Sequence, residues 1–229
     1  MIQHNNYLEQ VHAMRERLTR QPFIDVLLFQ QQEGLPDAEI TLLEQKYNMT
    51  LPDEVKDWYR HVNGLQLKWK ANKQFGSTLH NGFLLYAEDV KGSINIMPLH
   101  DVISRAQTSH FLFSDTDSSF DNPFWFAGEA FTYNSFGRNL YPFDIYSGEG
   151  CMAINANANG AEAEVILLSD GYVSWNTTRC SSFAEYMNLI LQVNGYEDAR
   201  YELYNDPENK VRRKPDFDAY LTDFFLTLT

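Results

Sequence analysis

The sequence has little cysteine: Cys151 and Cys180 are the only two in a chain of 229 residues. Two thiols in that length make no disulfide scaffold, and reduced thiols in a cytosolic protein are the expectation. Nor does any apolar run approach the roughly 20 residues that a membrane span requires. Residues 1–18 lack the apolar segment of a secretion signal, so a cytoplasmic protein is expected. Cationic charge is scarce as well. Lys and Arg total 18 against 31 Asp and Glu, a net charge of −13. Such a surplus repels phosphate, which argues against nucleic acid and anionic membrane as partners. It favours a basic partner, or serves solubility alone.

Catalytic and metal motifs are equally sparse. The six histidines stand at 4, 12, 61, 80, 100 and 110, with no pair four residues apart, and neither cysteine belongs to a C-x-x-C. No zinc site is written in that pattern. The stretch "DTDSSFDNPFWF" (115–126) resembles the start of a calcium loop. However, Phe120 stands where glycine must make the sharp turn, and Phe126 where the bidentate glutamate must sit. A solvated acidic loop is the better reading. There is no G-x-S-x-G and no glycine-rich phosphate loop. Cys180 precedes a helix, which can lower a thiol pKa, yet a small buried hydrophobe is the commoner role of such a residue. The residues therefore point to no catalytic group, no metal and no cofactor.

What is present is a globular composition, 44% hydrophobic and 14% aromatic. Residues 6–20 place Leu8, Val11, Met14 and Leu18 on one face of a helix, and Pro22 interrupts it. "FIDVLLF" (23–29) fits either more helix or a buried strand. "LPDAEITLLEQKYN" repeats Ile40, Leu43 and Tyr47 at helical spacing. The corner "TLPDEVKDWYRHVNGLQLKW" (50–69) then carries Pro52 at a helix start, with Asp53 and Glu54 at the positive end of the helix dipole. Leu51, Val55, Trp58, Tyr59 and Val62 form its inward stripe. Asn63-Gly64 is expected to end that helix through positive φ. "LQLKW" alternates as a strand, with Leu65, Leu67 and Trp69 on one face.

Further runs read as strands: "GFLLY", "SINIM", "FWFAGEAF", "RNLYPFDIY", "GCMAINA", "EVILLS" and "YVSW". A short helix carries Leu99, Val102, Ile103 and Ala106, and residues 108–123 read as loop. Ser182 and Glu185 form a capping box that opens a helix with Phe183, Met187, Ile190 and Leu191 inward, and Asn194-Gly195 closes it. All four tryptophans, Trp58, Trp69, Trp125 and Trp175, read as core residues before ligand platforms. The tail from 196 is polar, holds the basic cluster "KVRRK" (210–214), and ends in a helical pattern with Phe217, Tyr220, Leu221, Phe224, Phe225 and Leu228. These elements predict an α+β fold, a central twisted mixed or antiparallel sheet flanked by helices. Three parts are expected: an N-terminal helical extension (1–35), a main domain (36–195) and a C-terminal tail with a docking helix (196–229).

Acidic residues gather in or beside the loops between strands: Asp115, Asp117, Asp121, Glu129, Asp144, Glu149, Glu162, Glu164 and Asp170. Together they are the candidate partner-binding set, because such a rim would steer a basic protein. For any one of them, an ordinary wet loop explains the charge as well.

The order of these elements resembles the SUKH superfamily, which includes yeast cell-wall-synthesis regulators of the Smi/Knr type and many bacterial immunity proteins. Leu51-Pro52, Trp58-Tyr59 and Asn63-Gly64 carry the resemblance, with Ile40, Leu43 and Glu44 in the helix before them. It covers roughly residues 36–195. The resemblance implies an α+β domain without catalysis that binds a cognate polymorphic toxin, often a nuclease, or acts as a regulatory protein-binding module. A basic nuclease cleft and an acidic chain would be complementary.

Overall fold

A computed structural model of the chain describes residues 6–80, 83–88, 90–107, 123–126, 129–132, 140–146, 150–155, 164–169 and 182–197. Its frame is a six-stranded antiparallel sheet in the order β1-β2-β5-β8-β9-β10. The strands are β1 (Ile24–Glu33), β2 (Val62–Ala71), β5 (Lys91–Ile96), β8 (Leu140–Asp144), β9 (Gly150–Asn155) and β10 (Glu164–Ser169). Two hairpins are inserted: β3 (Ser77–His80) with β4 (Phe83–Tyr86), and β6 (Pro123–Phe126) with β7 (Glu129–Thr132). The helices are α1 (Tyr7–Arg20), α2 (Asp37–Tyr47), α3 (Asp53–His61), α4 (Leu99–Gln107) and α5 (Phe183–Gln192). The α+β expectation holds, and the sheet is wholly antiparallel.

Alternation decides which face of the sheet is covered. Leu65, Leu67 and Trp69 of β2 are buried, while Gln66, Lys68 and Lys70 between them are exposed. Helices α1, α3 and α5 pack together over the apolar face. Of the stripe foreseen for α1, Val11, Met14 and Leu18 are buried, joined by Tyr7, and Leu8 is half-buried against the same core. Tyr7 meets Trp58 of α3 edge to face, with ring centroids 5.2 Å apart. Residues 7–33 thus contribute a helix and a strand to the same core as α2, α3 and α5 and to the same six-stranded sheet as β2. The open question over 23–29 resolves as strand, because this segment pairs with β2 from Ile24↔Ala71 to Glu33↔Val62.

The corner differs from expectation at one point. Leu51, Val55, Trp58, Tyr59 and Val62 are buried as foreseen. Asn63-Gly64, however, does not end α3. The helix stops at His61, Val62 is already extended at φ −143, and Asn63 and Gly64 lie inside β2. The pair serves another junction. Asn63 Oδ1 accepts the backbone N–H of Leu99 at 2.9 Å, an N-terminal bond for α4. Gly64, at φ +119, holds a conformation that side chains resist, and this lets the strand turn beneath Pro98.

At the far end of the core three elements converge on Asn194. Trp69 Nε1 donates to its carbonyl at 2.5 Å, and Arg17 Nη2 of α1 donates to its Oδ1 at 3.1 Å and to Leu191 O at 2.9 Å. Asn194 and Gly195 adopt positive φ, 54 and 72, and end α5 as their sequence predicts. Gly92 of β5 lies under the Trp69 indole. A Cβ there would come within 2.1 Å of Nε1, so only glycine admits the ring. Of the strands foreseen, residues 172–175 lie outside the described residues. So do the loop at 108–122, Cys180, Trp175, the cluster at 210–214 and the C-terminal helical pattern.

Candidate partner-binding surface

The carboxylates that sequence reading singles out have different fates. Asp115, Asp117, Asp121, Glu149, Glu162 and Asp170 lie outside the described residues. Glu129 opens β7 and pairs with Phe126 of β6. Glu164 opens β10, half-buried, and its Oε2 accepts from the side-chain amide of Asn155 at 2.9 Å. The expectation for Asp144 is corrected. It has no exposed surface, so it cannot contribute a contact to a rim. Its position in "YPFDIY" places it in β8, next to a register shift between Pro142 and Asp144 that turns the side chain inward. There Oδ1 accepts the N–H of Asn95 at 2.8 Å and Oδ2 the hydroxyl of Tyr186 at 2.5 Å.

Other buried or half-buried polar groups are similarly engaged with the fold. Glu44 Oε1 accepts the N–H of Leu51 at 2.7 Å and lies 3.6 Å from Lys56 Nζ, which ties α2 to the start of α3. Glu54 accepts the N–H groups of Phe183 and Ala184 at 3.1 and 3.0 Å. Tyr59 donates to Met97 O at 3.1 Å. Burial, and then the nearby Asp144 charge, push the Tyr59 hydroxyl far above its ordinary range. The same two causes push Cys151 up to about 12, so this thiol is no nucleophile at neutral pH. Among the described residues no three His, Cys, Asp or Glu side chains group to hold a metal, and no helix is long and apolar enough to cross a membrane.

The open side of the sheet was not visible in the sequence. Strand β1 is an edge: β2 pairs one side of it, and among the described residues no strand pairs the other. Its pairing slips between Val26 and Leu28 and again between Gln31 and Glu33. Leu27, left out of the ladder, is 60% exposed and Val26 is 38% exposed. Between α1 and this edge lies a cleft of about 700 Å³, lined by His12, Arg15, Phe29, Gln31, Leu65 and Gln66 among others. Among the described residues no carboxylate borders it. The guanidinium of Arg15 rests over the Phe29 ring, 5.2 Å from its centroid. Gln31 Oε1 is buried without a hydrogen-bond partner among the described residues. The ambiguity of "FIDVLLF" hid this surface, since an edge exists only once the run is known to be a strand.

Among the described residues, a wholly antiparallel sheet with one face roofed by three helices, its polar side chains joining helix ends to strands, defines an α+β fold around one core. The sequence model of the SMI1 / KNR4 family (SUKH-1) matches residues 34–223, and the chain belongs to that family. No curated protein matches it.

Proposed function

We propose that this protein is a non-catalytic cytoplasmic immunity protein, which binds a basic cognate toxin domain and occludes it. The observation that carries the reading is charge: a member of the SMI1 / KNR4 family with a net charge of −13. A toxin that cleaves nucleic acid needs a basic cleft, and an acidic protein can fill it and arrive quickly through electrostatic steering. The engagement of Glu44, Glu54 and Asp144 with backbone or buried partners supports a scaffold role for these groups over a chemical one. Asp115, Asp117, Asp121, Glu129, Glu149, Glu162, Glu164 and Asp170 remain the proposed contact set, with Asp144 removed.

Family membership fits a second reading equally, a regulatory protein-binding module of the cell-wall-synthesis regulator kind. Co-expression with the toxin encoded beside it separates the two. Rescue of growth, together with a complex on gel filtration, is the result expected. Absence of both rejects the immunity reading, and recovery of a housekeeping partner instead establishes the regulator. The association rate with the toxin should fall as salt passes about 0.1 M, where the screening length is roughly 10 Å. A rate indifferent to salt removes the steering role of the rim.

A further inference from the structure

We propose that β1 is a docking edge for an extended segment of a protein partner, and that an Asp or Glu side chain of this segment enters the cleft to pair with Arg15. The edge supplies the first half of the argument. This strand of 10 residues is paired on one side by β2, and on its outer side its backbone donors and acceptors meet no other strand among the described residues. Natural edges are protected by Lys, by Pro or by bulges; "IDVLLFQQQE" contains no Lys or Pro, and between its two slips Leu28 to Gln31 run as continuous strand. Instead it exposes Val26 and Leu27, apolar side chains suited to a strand laid alongside them.

The cleft supplies the second half. In a chain with 31 acidic residues, this cleft is bordered by an arginine, a histidine and glutamine amides, and by no acid among the described residues. Arg15 is held over Phe29 and pairs with no carboxylate among the described residues. A stacked guanidinium keeps its outer N–H groups free for a carboxylate. Gln31 has no partner for Oε1 among the described residues, and by turning its amide it presents N–H to the same oxygens. Phe29 and Gln31 share the α1 face of β1, so alternate side chains of an added strand would project towards both.

A second copy of this chain fits less well. Two β1 strands paired with each other would bring the slips of both into one ladder, where they would interrupt it repeatedly. The proposal does not depend on the immunity reading. A toxin that fails to bind leaves it standing.

The test selects peptides from a random displayed library on the intact protein, and maps the winners by amide and arginine NMR shifts. The expected winners are rich in β-branched residues, carry an acid at one fixed position, and move the amides of residues 24–33 and Arg15 Nε. Replacing that acid by its amide, or Arg15→Gln, should each weaken binding about fivefold, and the two together no further. Leu27→Asp, at an exposed position, should abolish binding without unfolding the chain. The proposal is overturned by a library that yields no binder, by winners without the acid, or by shifts that fall elsewhere. Losses that multiply in the double replacement overturn it too, as does self-association of the chain through β1.

Discussion

The hydroxyl of Tyr186 on α5 donates to Oδ2 of Asp144 on β8 at 2.5 Å, and neither residue is more than 1% exposed. A carboxylate without water must find its hydrogen bonds inside the protein, and Asp144 takes a second from the N–H of Asn95. These bonds join β5, β8 and α5. Asp144→Ala should therefore cost about 2–4 kcal/mol, because it removes both bonds at once and leaves a cavity. Asp144→Asn keeps an acceptor for Asn95 and should cost less. Urea unfolding measures both. If Asp144→Ala unfolds at the wild-type midpoint, the buried carboxylate does not hold these elements together.

How much of this was legible in the sequence depends on how local the cause was. The inward stripe of α3, the capping box at Ser182 and the end of α5 at Asn194-Gly195 follow from residues within a few positions of one another, and sequence reading finds them. Asn63-Gly64 shows the limit. Its composition signals a helix stop, but Asn63 spends its side chain on Leu99, 36 residues away, and no local rule contains that partner. Asp144 misleads for the same reason, since an acid beside a turn reads as wet until β8 is placed between β5 and β9. The cleft under α1 needed three separate segments, and residues 23–29 alone could not distinguish helix from strand.

Cys151 and Tyr59 make stability depend on alkaline pH. Both are held protonated in the folded protein by burial and by the Asp144 charge, Cys151 up to about 12 against an ordinary 9.0. The folded state therefore binds these protons more tightly than the unfolded chain. The stabilisation is complete below about pH 9 and is lost as pH rises towards 12, at about 1.4 kcal/mol per pH unit for each group released. Cys151→Ala should make that decline shallower by one proton. Asp144→Asn, which removes the negative charge, should lower the Cys151 pKa. Unfolding free energies measured across the alkaline range check the slope, and a thiol reagent checks the protection of Cys151. Rapid labelling of the folded protein at mildly alkaline pH would contradict both.

Glu54 gives the corner at 50–69 a purpose that its own helix does not reveal. The first N–H groups of a helix have no partner within it, and in α5 these belong to Phe183, Ala184 and Glu185. Glu54 accepts the first two from α3, and Ser182 Oγ accepts the third at 3.2 Å. One helix start thus closes another across 129 residues of chain. Glu54→Ala should cost about 2–3 kcal/mol, since it removes two charge-assisted bonds. Ser182→Ala should cost about 1 kcal/mol, as an ordinary cap does. Both residues hold the same helix end, so once that end has frayed the second loss matters less, and the double variant should fall short of the sum. Chemical denaturation of the four proteins measures this coupling, with hydrogen exchange at Phe183–Glu185 reporting the fraying directly. Strictly additive costs, or unchanged exchange in Glu54→Ala, would mean that α5 is held by its apolar face alone.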